Sequence, residues 1–476
     1  GQPSRACSMG PSRSLSSRSV LTVQVPADAK PGKYTGSVVV SADGLAEKNL
    51  PVELEVFGWA LPSPKDFRMK HTNTFSPDSI ALYYKVPYWS DKHMELMGKS
   101  MKLMAEVGAR QVIVHMARYT QSRDKFNCRD SMVRWKKHNG SYEYDFSALE
   151  KYLDLVEKTM GSPRPLRINC WTEARKKTGT WDRPCPVSLL DPATGKVTAL
   201  DQPAPGGEAC LKFWKPVLTE LRKRIEKRGW WDVTTVGHSS YCYNPNPGLV
   251  DVVGRIWPDA RWSYTAHNGK LGGAFKGKEK TMPRAVTVCV WTEGKMTPRG
   301  YRELLKPGRE KLIWNSVCRN RHIDYGSARN PYRSSVRCIY RLPEEMLLRG
   351  HDGLGYLSSE LFPIENPKRR GRYDRVTINA GGVAGMSTKS LLAPGKDGPI
   401  PTERYEGFRQ SVQECEAILY LQGALEAKSI SGALAKKIDS YLQIRGEAFL
   451  KGISAGQAGN RELLRLAAEV AKATGK

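Results

Sequence analysis

Eight short apolar runs, each ending in polar or aromatic residues, recur through the middle of this 476-residue chain. Most of them are followed by a stretch long enough for a helix. Strands that alternate with helices imply parallel βα units, and eight such units predict a closed (β/α)8 barrel. Active sites of such barrels form where the strands end, so the residues that end each run are the first candidates for function. The runs begin at Phe67, Gln111, Leu166, Asp232, Arg261, Ala285, Lys311 and Gly353.

Three regions are predicted along the chain. Residues 1–62 contain alternating segments, LTVQVP, SVVVSA and LPVELEVFG, which indicate an N-terminal β-sandwich fragment. Residues 65–385 hold the eight runs and form the barrel. Residues 386–476 have a helical pattern and are expected to form a C-terminal helical segment packed on the barrel. Because three or four strands are too few for an independent sandwich, further N-terminal strands and a signal peptide are expected to precede this sequence.

The charge of the chain points to a polyanionic partner. Lys and Arg together number 75, Asp and Glu 48, and the net charge is +27. Such a balance favours nucleic acid, anionic lipid or acidic polysaccharide, although a solvated basic surface is the simpler alternative. No nucleic-acid-binding module is recognisable, and no apolar run is long enough to span a membrane. An anionic polysaccharide is therefore the expected partner, with no nucleic acid involved.

The ten cysteines lack the spacing of a zinc site, and neither a metal nor a cofactor is expected. Cys170, Cys289 and Cys318 lie within predicted strands and are expected to be buried thiols. Four others lie in loops, where disulfides can join long insertions: Cys128, Cys185, Cys210 and Cys242. This even, loop-rich set favours an oxidising compartment, so the protein is expected to be secreted or periplasmic.

Several stretches, in a shared order, resemble glycoside hydrolase family 123 and the related domain-of-unknown-function 4091 proteins. The resemblance covers most of residues 30–425. It is carried by LPVELEVFGWALP, SIALYYKVPYWSDKHMELMGKSMKLMAEVGARQVIVH, NGSYEYDFSALEKYLDLVEK, FWKPVLTELRKRIEKRGWWDVTTVG and LLAPGKDGPIPTERYEGFRQSVQECEAILYL. It implies a barrel enzyme that hydrolyses glycosidic bonds.

The resemblance fails where the family places its catalytic acids. Family members act on N-acetylgalactosaminides with the help of the substrate's own acetamido group, and an Asp-Glu pair after the fourth strand supports that reaction. Such a pair needs one ionised and one protonated carboxyl group. The matching position in this chain reads His238-Ser239. Neither residue can copy the pair, so the family's catalytic residues and substrate are not carried over.

Two runs end in the same tripeptide, Trp-Thr-Glu, which gives the first catalytic candidates. Trp171 precedes Glu173, and Trp291 precedes Glu293. An indole can stack on a sugar ring while a neighbouring carboxyl group exchanges protons with the substrate. The structural alternative is that the Trp side chains fill the barrel mouth and each Glu pairs with a nearby base, such as Arg175.

His238 and Tyr241 suggest different chemistry. A His and a Tyr can remove the C5 proton of a uronic acid and protonate the leaving oxygen, which is β-elimination. The alternative is that His238 satisfies a hydrogen bond at the rim. The remaining candidates are expected to bind the substrate from the strand ends and the loops that follow: Arg175, Tyr243, His267, Trp314, Asn315, Arg319, Arg321 and Glu360.

The sequence thus predicts a carbohydrate-active enzyme, most simply a glycoside hydrolase that acts on a sulfated or uronic-acid-containing polysaccharide. A polysaccharide lyase that uses His238 and Tyr241 is the first alternative. The second is a barrel that has lost its acids and binds glycan without turning it over.

Overall fold

The computed structural model describes residues 21–26, 28–118, 129–171, 185–239, 246–266, 287–289, 295–306, 317–318, 336–351, 353–360, 362–365, 373–375, 390–453 and 455–475. Within these ranges the chain divides into two compact units, Gly1–Phe57 and Gly58–Lys476. Among the helices so described, none combines the length and the apolarity needed to cross a membrane.

The first unit contains one antiparallel hairpin, formed by β1 (Gly32–Ala42) and β2 (Leu45–Val56). The strands are joined through Gly44, whose φ of 77° is readily adopted only by glycine. The predicted first strand, residues 21–26, is not a strand in the structure, and β1 begins earlier than predicted, at Gly32. Most side chains of both strands are exposed, so alternation alone did not identify a buried face here.

The second unit is a mixed α/β structure built on an eight-stranded sheet in which every neighbouring pair is parallel. Each of its strands falls in one of the eight predicted runs. They are β3 (Lys70–Thr74), β4 (Val112–His115), β7 (Leu166–Trp171), β10 (Thr234–Ser239), β11 (Trp262–Ala266), β12 (Thr287–Cys289), β13 (Val317–Cys318) and β14 (Gly353–Ser358).

The strands lie in chain order from β4 to β14, and β3 follows β14 at the end of the sheet. The first strand in sequence is therefore hydrogen-bonded to the last. At the other side of β3, an isolated parallel bridge joins His71 to Ala109, three residues before β4 begins. The parallel α/β organisation predicted from the alternating runs is confirmed.

The helices begin where the sequence supplies side-chain caps. Ser76, Ser90 and Thr402 each accept a hydrogen bond from a backbone N–H in the first turn of the helix that follows. The helices are α1 (Pro77–Tyr83), α2 (Asp91–Glu106), α3 (Ser147–Met160), α4 (Gly207–Lys227), α5 (Pro247–Ile256), α6 (Val336–Leu348), α7 (Glu403–Glu426), α8 (Gly432–Leu450) and α9 (Gly456–Thr474).

The main core lies between the sheet and the helices. Val112, Val114, Leu166, Ile168 and Val236 are buried there against apolar side chains of α2, α3, α4 and α5. Because side chains alternate along a strand, the residues between them belong to the opposite face of the sheet. That face carries the candidate site.

A smaller four-stranded sheet, in the order β6-β5-β8-β9, is inserted between the parallel strands in sequence. It comprises β5 (Arg134–His138), β6 (Ser141–Asp145), β8 (Val187–Leu190) and β9 (Val197–Leu200). Trp135 of β5 stacks on Phe213 of α4 with ring centroids 5.5 Å apart. Two short hairpins complete the described strands: β15 (Pro363–Glu365) with β16 (Tyr373–Arg375), and β17 (Leu392–Gly395) with β18 (Gly398–Pro401).

The three C-terminal helices form at the predicted places, and a buried polar cluster joins them to α6. Arg445 of α8 donates hydrogen bonds to Glu344 at 2.8 and 2.9 Å and to Glu414 at 3.2 Å. Asn460 of α9 accepts from Arg445 and donates to Glu414. In α7, Glu416 accepts from the backbone N–H groups of Arg68 and Met69, just before β3. Its side chain therefore ties the helical segment to the parallel sheet.

Candidate active site

The carboxyl ends of β4, β7, β10 and β11 place four residues in one lateral row. Register aligns His115 with Asn169, Asn169 with Gly237, and Gly237 with Ser263. Laterally paired residues of a sheet share a face. Two residues earlier, Arg167 and Thr235 lie on the same face. We call these six residues the polar layer.

The polar layer is buried. His115, Asn169 and Thr235 are at most 1% exposed, and Arg167 and Ser263 are each 5% exposed. Thr235 and Ser263 share a hydrogen bond of 2.8 Å between their hydroxyl oxygens. The buried faces of parallel sheets are usually covered by apolar side chains. Buried polar groups cost free energy, so this layer is an unusual use of a buried face.

Gly237 determines how the polar layer packs. A Cβ at this position would overlap with Oδ1 of Asn169 and Nε of Arg167. Both side chains of β7 therefore occupy the space in front of the glycine of β10. The next residue of β10 is His238, which is paired in register with Trp171 and with Tyr264. Along β10, the polar layer thus ends one residue before the position where the resemblance expects catalytic acids.

The polar layer contains one neutral imidazole and one cation. Burial, with a smaller contribution from the positive charge of Arg167, lowers the pKa of His115 to about 3. His115 is therefore uncharged at neutral pH and can act there only as a hydrogen-bonding group. His71 of β3 packs against Phe408 of α7, with ring centroids 4.9 Å apart.

Trp171 is in the aromatic core. Its ring meets Trp214 of α4 edge to face, with centroids 5.1 Å apart, and it is only 2% exposed. Burial of this kind favours the structural alternative, in which the indole packs in the core at the end of the strand, over stacking on a sugar. Register still places it beside His238 at the end of the strand.

Glu360 follows β14 and is buried rather than at the rim. Its Oε1 accepts a hydrogen bond of 2.8 Å from the backbone N–H of Ser76, and its Oε2 accepts one from the hydroxyl of Ser100. Burial raises the pKa of Glu360 to about 8, so the carboxyl group is largely protonated at neutral pH. These contacts connect the strand end to α1 and α2. They explain why a carboxyl group is placed here without assigning it a role in binding substrate.

Asp78, in the first turn of α1, is a second buried carboxyl group near the strand ends. It accepts hydrogen bonds from the backbone N–H of Arg129 at 3.0 and 3.2 Å. Burial raises its pKa to about 7, against the opposing effect of those hydrogen bonds. The sequence analysis missed it because Ser-Pro-Asp there has the form of an ordinary helix start.

Sequence reasoning also missed Arg167, Asn169 and Thr235, although a signal for them was present. Strands of a parallel sheet covered on both faces normally read as continuous apolar runs. In LRINCW and TTVGH, polar residues alternate with apolar ones instead. A period of two in a strand expected to be buried on both faces indicates a polar interior.

The backbone of His238 is described, whereas most other predicted site residues lie outside the described ranges, and their roles remain predictions. These are Glu173, Arg175, Tyr241, Tyr243, His267, Trp291, Glu293, Trp314, Asn315, Arg319 and Arg321. Within the described part of the chain, no group of three His, Cys, Asp or Glu side chains is arranged to hold a metal ion.

Four of the described cysteines are not in disulfide bonds: Cys170, Cys185, Cys210 and Cys415. Cys170 is buried as expected. The loop disulfides expected for Cys185 and Cys210 are not formed. The Cys185 sulfur instead faces the carbonyl oxygen of Cys170 at 4.0 Å and the side-chain amide of Gln202 at 3.7 Å, and Cys210 is enclosed within α4.

Comparison with known proteins connects this geometry to one family. The family model described as the glycoside hydrolase 123 catalytic domain matches residues 75–271, a range that includes the polar layer and His238. A search of curated proteins gives no match.

Among solved structures, the chain is similar to a family 123 glycoside hydrolase from Clostridium perfringens, analysed for glycolipid glycan hydrolysis. The TM-score is 0.59 at 19% identity, over 94% of this chain and 77% of that chain. An endo-β1,6-glucanase structure gives a TM-score of only 0.28 at 9% identity, over 80% of this chain and 83% of that chain. Over residues 75–271 in sequence, and in its fold, this chain resembles glycoside hydrolase family 123, and the two findings together support a glycoside hydrolase.

Proposed function

We propose that this protein is a secreted glycoside hydrolase that acts on an anionic polysaccharide at the carboxyl ends of its eight parallel strands. The observation that carries the proposal is the position of the polar layer. It lies at the carboxyl ends of the strands, one residue before His238 along β10, inside the segment that the family 123 catalytic-domain model matches. Substrates of parallel α/β enzymes bind at this edge of the sheet.

The proposal includes closure of the sheet into a (β/α)8 barrel. Two observations support closure: β3 is hydrogen-bonded to β14, and the bridge between His71 and Ala109 lies on the other side of β3, next to β4. In a closed barrel the polar layer faces the interior, and the strand ends surround one mouth. Glu173, which follows β7, and Glu293, which follows β12, then reach the same mouth.

The proposed reaction needs an acid to protonate the glycosidic oxygen and a carboxylate that acts as nucleophile or activates water. His238-Ser239 cannot supply two carboxyl groups. We therefore assign these roles to Glu293 and Glu173, with Trp291 as a stacking partner for the sugar. This assignment follows from their places in the sequence after two strands of the sheet.

An anionic substrate is supported by charge. The chain carries a net charge of +27, and a cation, Arg167, is built into the polar layer beside Gly237. A guanidinium group in a site screened from water attracts carboxylate or sulfate more strongly than one at the surface. Arg319 and Arg321, which follow β13 in the sequence, are proposed to bind other anionic groups of the same polysaccharide.

The test is product analysis on purified polysaccharides: chondroitin sulfate, heparin and polygalacturonate, with desulfated chondroitin and a neutral galactan as controls. Hydrolysis yields new reducing ends without the ultraviolet absorbance of an unsaturated uronide. Reducing ends with that absorbance would instead show elimination, which His238 and Tyr241 can carry out. Binding without products would show a glycan-binding barrel. Turnover of the neutral galactan alone would contradict the anionic substrate.

A further inference from the structure

Asn169 is a buried amide whose hydrogen-bonding groups are not used. It is 0% exposed, and neither Nδ2 nor Oδ1 has a hydrogen-bond partner in the structure described here. Leaving a polar group buried in this way costs about 1–3 kcal/mol. A residue retained at such a cost needs another explanation than stability.

Asn460 shows what a structural asparagine looks like in the same protein. It is also buried, at 9% exposure, but its amide is fully engaged. Its Nδ2 donates to Tyr340 and to Glu414, both at 2.7 Å, and its Oδ1 accepts from Arg445 at 2.9 Å. Asn169 and Asn460 are both buried, but only Asn460 forms hydrogen bonds with its neighbours.

The position of Asn169 connects it to the candidate site. It is the third-last residue of β7, and it is paired in register with Gly237, the residue before His238. The missing side chain of Gly237 leaves the space that the Asn169 amide occupies beside Arg167. The amide is therefore held near the strand ends, in buried surroundings where a hydrogen bond is stronger than in water.

The chemistry of the amide selects the ligand group. Its Nδ2 donates and its Oδ1 accepts, side by side in one plane. Adjacent hydroxyl groups of a sugar ring present the complementary pair, because each hydroxyl can donate or accept. A carboxylate or sulfate alone would satisfy Nδ2 and leave Oδ1 without a donor.

We propose that Asn169 is a substrate-specificity residue that hydrogen-bonds ring hydroxyl groups of a sugar bound at the carboxyl ends of the parallel strands. The proposal rests on the proposed function. It assigns the hydroxyl groups of the substrate to Asn169 and an anionic group of the substrate to the neighbouring guanidinium group of Arg167. Substrate binding then satisfies the amide that the free protein leaves unsatisfied.

The first arm of the test measures stability without any glycan. Asn169→Leu keeps the shape of the side chain and removes both polar atoms, so the melting temperature is expected to stay the same or rise. The matched control, Asn460→Leu, is expected to lower it, because Arg445 and Glu414 each lose a buried partner. A fall for Asn169→Leu equal to that of the control would overturn the proposal. Asn169→Ala replaces the leucine variant if the latter does not fold.

The second arm measures affinity by calorimetry, with a chondroitin sulfate tetrasaccharide and a tri-galacturonate as probes. Asn169→Leu is expected to weaken binding of the preferred probe about tenfold to a hundredfold, whereas Asn460→Leu leaves the affinity of the folded fraction unchanged. Unchanged affinity in Asn169→Leu would overturn the proposal. If the wild-type protein binds neither probe and turns over no glycan, the proposed function fails on its own. The stability arm still decides whether Asn169 is merely structural.

Discussion

Glu360 accepts a hydrogen bond of 2.8 Å from the backbone N–H of Ser76, which joins the segment after β14 to the cap of α1. The first and last strands of the sheet in sequence, β3 and β14, are neighbours. The contact therefore joins the two segments that follow these strands. The same side chain receives the hydroxyl of Ser100. Its complete burial gives the contact a pH dependence.

Glu360→Gln should reduce the loss of stability as pH rises from the ordinary pKa of Glu360, 4.5, to its raised value of about 8. Burial raises the pKa of Glu360 from its ordinary value of 4.5 to about 8. The folded state therefore holds a proton that the unfolded state releases, and the free energy of unfolding falls as pH rises through this window. Glutamine mimics the protonated acid. Urea unfolding at pH 5 and pH 8 should show a smaller decline for the variant than for the wild-type protein.

Glu143→Gln, on exposed strand β6, is the control for that comparison and should leave the decline unchanged. Asp78 and Glu416 are buried acids with pKa values raised to about 7, so part of the decline remains in every variant. An identical pH dependence in Glu360→Gln and in the wild-type protein would contradict the prediction.

Gly237→Ala should lower both stability and turnover. The new methyl group would overlap with Asn169 and Arg167, which cannot move apart in a packed interior without displacing their neighbours. Overpacking of this kind costs about 1–3 kcal/mol. Gly254→Ala in α5 is the matched control, because a Cβ there meets nothing within 4 Å. Denaturant midpoints and turnover of the two variants make the comparison, and equal midpoints would show that the polar layer accommodates the methyl group.

Arg445→Met should lower the free energy of unfolding by about 3–5 kcal/mol, the usual result of removing one partner from a buried ionic cluster. Glu344 and Glu414 would then be left without their shared cation. Arg302→Met provides the comparison. Its ion pairs with Glu426 and Asp439 are half exposed, so a change of about 0–1 kcal/mol is expected. Chemical denaturation measures both, and equal losses would refute the special role of the buried cluster.

Arg319→Ala combined with Arg321→Ala should weaken binding of the anionic polysaccharide and reduce its dependence on salt. Exposed charges are screened over about 8 Å at physiological ionic strength, so affinity that relies on them falls as salt is added. Removing the same charge at the C-terminal helices, with Lys451→Ala and Arg465→Ala, should have little effect. Salt-insensitive binding of the wild-type protein would indicate that the net charge of +27 is a general property of the surface and does not serve to bind the polysaccharide.

Glu293→Gln should lower the rate of hydrolysis by a factor of about 10² or more, the scale for losing a general acid or base. His238→Ala should then have the smaller effect. For an elimination the order is reversed, and His238 or Tyr241 becomes essential while Glu293→Gln is tolerated. Introducing Asp and Glu at positions 238 and 239 should not by itself create N-acetylgalactosaminidase activity, because the acetamido pocket that must surround such a pair is not expected here. The measurement is kcat for each variant on the polysaccharide that the wild-type protein turns over.

The sequence by itself determined the strands of the parallel sheet and the three C-terminal helices. Strands such as VIVH of β4 and LRINCW of β7 are recognisable because short apolar runs separated by helical segments have few other solutions. The helices α7, α8 and α9 carry long periodic stretches and lie where the pattern placed them. These features are local, so neighbouring residues contain the information.

The tertiary structure determined the environment of each candidate side chain. Trp171 ends its strand and Glu360 follows its strand as predicted, but burial against Ser76, Ser100 and Trp214 depends on helices distant in sequence. The row from His115 through Asn169 to Gly237 depends on lateral register, which no single strand encodes. Residues 21–26 have strand-like alternation and still form no strand, because a strand also needs a partner to which it can hydrogen-bond. Local pattern therefore indicated most of the elements, and packing determined which of them form and which side chains are available for chemistry.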